Sequence, residues 1–247
     1  MSITSQKDLD GLSRVGRVVA LALRAMEEAV RPGVTTSELD HVASLVFRRH
    51  GAISAPQFRF GFPAAVCISV NDEAVHGIPG ERTIREGDLV KLDVTAELDG
   101  YIADAAVTVA VPPVSPTMRE LRACARSAFQ RAMNVARAGS RINDIGRAVE
   151  KEVRRNGFSV IRELSGHGVG RDIHEEPSIP NFFDRRYSQR LPEGLVITVE
   201  PIIAAGSGRI VQGDDGWTVR TLDGSLTAHY EHTMVITRGR PMLLTVA

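Results

Sequence analysis

The sequence lacks what several large classes of protein need. Two cysteines among 247 residues, Cys67 and Cys124, are too few for a disulfide framework. One lies in a strand-like segment and the other in an amphipathic helical one, so both are predicted to be reduced thiols. There is no excess charge of either sign: 30 basic residues meet 30 acidic ones, and neither a nucleic-acid arm nor a membrane-surface patch is encoded. No apolar run approaches the length of a membrane span. Residues 1–10 are polar and have neither the basic start nor the apolar core of a secretory leader, so a cytoplasmic protein is expected. Low-complexity linkers are missing too; Gly206-Ser207-Gly208 and Gly213-Asp214-Asp215-Gly216 read as loop turns. A chain of this length can bury a large core as one domain.

What is present is a local carboxylate pair. Between Leu89 and Val109, Val90, Leu92 and Val94 alternate with Lys91, Asp93 and Thr95, the period-two pattern of a strand. Asp99-Gly100 supplies a two-residue hairpin turn. With those two residues as the loop, Leu98 pairs with Tyr101, Thr95 with Asp104, and Asp93 with Ala106. Asp93 and Asp104 then become diagonal neighbours on one face, roughly 7 Å apart. Two carboxylates held that close in a folded interior need a shared proton or cations between them.

Downstream segments offer further ligands. His167 lies in the glycine-rich run Gly166-His167-Gly168-Val169-Gly170, with His174-Glu175-Glu176-Pro177 just beyond it. Glu200 ends the apolar strand-like run Leu195–Val199, and Glu231 precedes a second strand-like run, Thr233–Thr237. Charged residues in such settings are rarely left unpaired. Asp93, Asp104, His167, Glu200 and Glu231 together make an oxygen-rich set with one imidazole, which suits hard or borderline divalent ions better than a thiolate cage would.

These motifs, with Val75-His76-Gly77-Ile78-Pro79, Val199-Glu200-Pro201 and Tyr230-Glu231-His232-Thr233, occur in an order and spacing that resemble type I methionine aminopeptidase across nearly the whole chain. Even the approach to the last block, Asp215-Gly216-Trp217-Thr218-Val219, is similar. The resemblance implies an α/β (α+β) pita-bread fold: pseudo-two-fold duplicated halves with a curved, mostly antiparallel sheet covered by helices. It implies a single metallo-aminopeptidase domain over 1–247, with repeat halves of roughly 1–110 and 111–247. It also implies two divalent ions, drawn from cobalt, manganese, iron or zinc, held by Asp93, Asp104, His167, Glu200 and Glu231. Two such ions lower the pKa of a shared water, polarise the scissile carbonyl and anchor the free amine. Glu200 would shuttle the proton, His174 would contact the carbonyl oxygen, and His76 would hydrogen-bond near the scissile nitrogen. Phe62, Cys67 and Trp217 match the walls of the methionine pocket, where soft apolar surfaces suit a thioether. The implied partners are N-terminal methionyl peptides and nascent chains met near the ribosome, with no nucleic acid, no membrane, and a monomeric enzyme.

Internal similarity supports two related halves. Arg31-Pro32-Gly33 through Gly51 lines up with Arg137-Ala138-Gly139 through Gly157, and Arg24-Ala25-Met26 echoes Arg131-Ala132-Met133. The second helix of each pair has a start signal, Thr35 with Glu38 as a capping box and Asn143 or Asp144 as a cap, and a glycine stop. Another helix is predicted from Ser115-Pro116, where serine caps and proline takes the first turn.

Arg59, Phe60, Ala105 and Ile173 depart from residues common in bacterial members, which places pocket shape and turnover in question while leaving the ligand set whole. His41, His50, His229 and His232 have weaker claims to a role, His232 as a neighbour of the Glu231 strand. Two other readings share the fold: a proline-specific peptidase and a non-catalytic peptide-binding module. The former usually carries an added N-terminal domain, and the latter should not retain five ligands.

Overall fold

Five helices and fifteen strands form among residues 1–246, the part of the computed structural model that is described. The helices are α1 (Gln6–Ala29), α2 (Thr36–His50), α3 (Ala55–Phe60), α4 (Pro116–Val135) and α5 (Ile142–Arg155). The first eight strands are β1 (Ile53–Ser54), β2 (Cys67–Val70), β3 (Glu73–Val75), β4 (Leu89–Leu98), β5 (Tyr101–Ala110), β6 (Ser159–Val160), β7 (Ser165–Gly168) and β8 (Glu175–Pro180). The remainder are β9 (Val196–Val199), β10 (Ile202–Ala204), β11 (Ile210–Gln212), β12 (Val219–Thr221), β13 (Thr227–His229), β14 (Glu231–Val235) and β15 (Met242–Leu243).

The central sheet runs β1-β4-β5-β14-β9-β7-β8, with β2 on β4 and β15 on β14. Two three-stranded sheets, β13-β10-β6 and β11-β12-β3, complete the β structure. All these pairings are antiparallel, as expected. Helix α1 packs against β4 and β5, and α2 against α1, β1 and β2, over a core that includes Leu12, Val19, Met26, Leu39, Leu92 and Ile102. A second core lies beneath α4 and α5, around Leu121, Phe129, Ile145, Val149, Ile197 and Met234. Each fully buried side chain of this kind contributes about 1.5–3 kcal/mol relative to exposure, so the two helix pairs hold the sheet from the face away from the cleft.

The helix signals are largely borne out. Thr35 and Glu38 form the reciprocal capping box of α2, which ends on Gly51 in the left-handed region. Ser115 caps α4 with Pro116 at its first position. The start of α5 differs from expectation. Arg141 is the flanking residue, Asp144 accepts from its backbone N–H, and Asn143 lies inside the helix, buried. The third-position carboxylate reaching back to the chain before the helix, the second half of a capping box, was mistaken for the cap itself.

The β4–β5 hairpin has the predicted register at all three tested pairs: Leu98 opposite Tyr101, Thr95 opposite Asp104 and Asp93 opposite Ala106. Asp99 and Gly100 have φ of 53° and 75°, both positive as in a type I′ turn, whose twist matches the flanking strands.

Candidate metal centre

Antiparallel register gathers the site onto one face of the central sheet. Cys67 pairs with Asp93, Asp93 with Ala106, and Ala106 with Glu231, so four strands place one row of side chains side by side. One step along, Thr95 pairs with Asp104 and Thr233 with Thr198. Thr233 Oγ1 stitches the two pairs, accepting from Asp104 N–H at 2.9 Å and donating to its carbonyl at 2.8 Å. Ala106 carries only a methyl group between Asp93 and Glu231, leaving room above it for both carboxylates. Glu200 follows β9 directly, two residues beyond Thr198. Its backbone carbonyl accepts from the buried Asn181 Nδ2 at 2.8 Å.

His167 reaches the same cleft from β7. A side chain at Gly166 would meet the Thr198 carbonyl at 2.6 Å, and one at Gly168 would collide with the Glu176 carbonyl. The glycines flanking His167 therefore let β7 sit tightly between its neighbours. His167 Nδ1 donates to Gly168 O at 2.9 Å, which directs the Nε2 lone pair into the cleft, 3.7 Å from Glu200 Oε1.

Asp93, Asp104, His167, Glu200 and Glu231 all line one cleft of about 470 Å³, together with His76 and His174. His76 follows β3 with φ of 58°, an uncommon conformation for a residue with a side chain. His174 precedes β8, its ring meeting that of His167 edge to face with centroids 4.5 Å apart and stacking on Phe60 with centroids 5.6 Å apart. Phe62, Ala64 and Cys67 form a small buried cluster beside this group, with Trp217 meeting Phe62 edge-on at 5.2 Å. β12 pairs with β3, so the loop bearing Trp217 and the turn bearing His76 are held by one small sheet.

The electrostatics of this face are unfavourable without a cation. Burial, then the neighbouring Asp104 carboxylate, push the Asp93 carboxyl up to about 8. Burial, with Glu231 next, raises Asp104 well above the carboxylate range. Glu200 and Glu231 are raised too, by burial first and then by the other carboxylates. Burial lowers His167 to about 4, keeping the imidazole neutral. Asp104 Oδ1 and Glu231 Oε1 are buried with no hydrogen-bond partner. Acceptor oxygens left bare among crowded carboxylates, next to an oriented imidazole lone pair, are the donor set a divalent cation requires. Two groups of potential ligand atoms lie close enough to share an ion: Asp104, His167 and Glu231, and Glu200, His229 and Glu231. Burial and the nearby aspartates hold the Cys67 thiol well above its ordinary pKa, which suits it as a wall and not as a nucleophile.

His229 is the residue sequence reasoning undervalued. It ends β13, two residues before Glu231, and no motif marks it. The available signal was a histidine beside a predicted ligand in an apolar strand. Glu163, Glu175 and Glu176 also line the cleft without having been singled out. Cys124 lies in α4, free and buried, as its helical pattern predicted. Arg59 binds Glu97 at 3.3 Å and the Arg171 carbonyl at 3.0 Å. Ala105 and Ile173 are both buried.

An antiparallel sheet carrying buried carboxylates and one oriented histidine defines a metal-dependent hydrolase, and residues 10–238 match metallopeptidase family M24. Methionine aminopeptidase 2 of Bacillus subtilis is 42% identical over 247 residues, 99% of this chain and 99% of that protein. The crystal structure of methionine aminopeptidase from Thermotoga maritima superposes with a TM-score of 0.97 at 35% identity, covering 100% of both chains. The chain belongs to the methionine aminopeptidases of family M24. Prolidase from Pyrococcus furiosus, at 22% identity and a TM-score of 0.80, shares the fold alone; the alignment covers 99% of this chain and 65% of that one.

Proposed function

We propose that this chain removes the N-terminal, initiator methionine from peptides and nascent chains whose second residue is small, using divalent metal. The observation that carries the reading is the convergence of Asp93, Asp104, His167, Glu200 and Glu231 on one cleft beside the Phe62, Cys67 and Trp217 cluster. Those five residues would hold two divalent ions, among manganese, iron, cobalt and zinc. Bound there, the ions would supply Lewis acidity toward the scissile carbonyl and an acidified water.

The chain's own residues supply the remainder. Burial and its carboxylate neighbours raise the proton affinity of Glu200, so it can take a proton from the attacking water and pass it to the departing amine. His174, backed by the Phe60 ring, would donate to the carbonyl oxygen as negative charge develops. His76 faces the same cleft and would hydrogen-bond near the scissile nitrogen. Phe62 and Trp217 meet edge to face and, with the neutral Cys67 thiol, offer an apolar slot for an unbranched thioether side chain. Among the described residues no helix is long and apolar enough to cross a membrane. We place the enzyme in the cytoplasm, as a monomer meeting its substrates as they leave the ribosome.

The test is release of free methionine from a Met-Gly-Xaa peptide, with a Xaa-Pro peptide alongside. Metal-free protein is reconstituted with manganese or cobalt, and Glu200→Gln is the control. Metal-dependent cleavage of the first peptide, lost in the control, is the expected result. Cleavage of the Xaa-Pro peptide alone would move the activity to the proline-specific class.

A further inference from the structure

His229 is 1% exposed, and both of its ring nitrogens lack a hydrogen-bond partner. Its backbone is pinned on both sides. The N–H donates to Thr108 Oγ1 at 2.9 Å, the Thr108 hydroxyl donates back to the His229 carbonyl at 2.8 Å, and β13 pairs it with Ile202. Nε2 lies 3.3 Å from Glu231 Oε2 and 3.7 Å from Glu200 Oε2. A nitrogen so placed either offers a lone pair to an ion shared with those glutamates or directs a proton at them.

The other ring nitrogen separates these two roles. A histidine that ligates through Nε2 carries its proton on Nδ1 and gives it to an acceptor, as His167 does to Gly168 O. His229 Nδ1 has no acceptor, and buried N–H groups without one are rare in folded proteins. With the proton on Nε2, Nδ1 leaves only an unpaired acceptor, and the N–H has carboxylate oxygens of Glu231 and Glu200 at 3.3 and 3.7 Å, near enough to attract it although neither is in hydrogen-bond alignment, whereas Nδ1 has no acceptor at all. We infer that His229 is a positioning residue whose Nε2–H lies beside the Glu231 and Glu200 carboxylates and holds both near their places for the divalent ions without ligating them. The inference rests on the reading of Glu200 and Glu231 as ligands.

Cobalt(II) titrated into metal-free protein, followed by calorimetry and by the visible absorption of the bound ion, tests this in wild type, His229→Gln and His229→Leu. Glutamine keeps an N–H donor; leucine keeps bulk without one. The leucine variant is expected to bind cobalt about 10–100-fold more weakly, the usual cost of losing a group that orients a ligand. Glutamine should restore the affinity and leave the absorption bands of the ion at wild-type position and intensity. Altered bands in the glutamine variant would make His229 a ligand and overturn the inference. So would wild-type affinity in the leucine variant, or equal losses in both. Should the leucine variant fail to fold, judged by circular dichroism, the bands and affinity of the glutamine variant decide alone. Failure of the wild type to bind cobalt would instead remove the ligand reading beneath it.

Discussion

The two sources of the metal centre are built by opposite means. Asp93 and Asp104 come from one hairpin, ten residue pairs closed by a two-residue turn, and their relation is settled within about twenty residues of chain. His167, Glu200 and Glu231 come from three strands that meet only through distant pairings: Gly168 with Ile197, His232 with Val199, and Glu231 with Ala106. The hairpin pair is over-determined by local geometry, whereas the other three depend on contacts between segments distant in the chain, such as Asn181 beneath Glu200. Two of the five residues are therefore robust to change elsewhere, and three are sensors of how well the C-terminal strands pack.

The comparison collapses most completely if the contested centre is removed. Asp104→Asn should lower kcat/KM for Met-Gly-Xaa by about 10³-fold or more, roughly 4 kcal/mol of transition-state stabilisation. Metal-free Asp104→Asn protein should melt no lower than wild type, because one of the crowded carboxylates is gone; a large loss of Tm without metal would contradict this.

Metal removal should expose the same crowding as a pH dependence. Asp93 titrates near 8 in the folded chain but in the ordinary carboxylate range when unfolded. Its protonated form therefore stabilises the fold fully below about pH 4, and that stability is lost as pH rises toward 8. Chelator-treated protein should show a falling Tm across this window. Saturating metal should blunt or reverse the slope, since ligands must be ionised.

Smaller effects divide the two regions. Asn181→Ala should cost about 1–3 kcal/mol, the penalty for stranding the Glu200 carbonyl, and should weaken metal affinity together with denaturant midpoint. Gly100→Val, at φ of 75°, should cost about 1–2 kcal/mol of stability while the remaining hairpin pairs keep Asp93 and Asp104 together. Metal affinity should then change less than for Asn181→Ala, and the reverse order, measured by calorimetry, would break the contrast. Phe60→Ala should be mildest. Losing the ring against His174 is worth about 0.5–1.5 kcal/mol, a kcat/KM decrease of about two- to tenfold with unchanged metal stoichiometry.

This asymmetry explains what could be read before any coordinates. The hairpin register was legible residue by residue because alternation and an Asp-Gly turn are local statements, and the register decides which side chains share a face. The capping box at Thr35 and the cap at Ser115 were legible for the same reason. His167, Glu200 and Glu231 stand out one by one, from a glycine-rich run and the ends of apolar strand-like runs, but only the motif resemblance joins them to the hairpin as one set. Nothing in their own segments says that β14 inserts between β5 and β9, which is the step that unites them. His229 escaped because its importance lies in two unmade hydrogen bonds, a property of the assembled interior with no sequence signature. Asp144 shows the limit at closer range: its helix was found, but which end of the capping box it occupied depends on one backbone conformation.

The position of β14 has a consequence for the order in which the molecule is made. A ribosome finishes the hairpin early and can let it form, since domains begin to fold from their N-terminal side during synthesis. The edge of β5 then waits, unpaired, until β14 has been made. Only when Glu231 emerges does one short strand cover that edge and complete the acidic cleft. Fragments from premature stops or C-terminal clipping would accordingly keep the aspartate pair but expose a bare strand edge, the kind that pairs with other chains. Protection from aggregation and acquisition of the cleft thus coincide in a single five-residue strand.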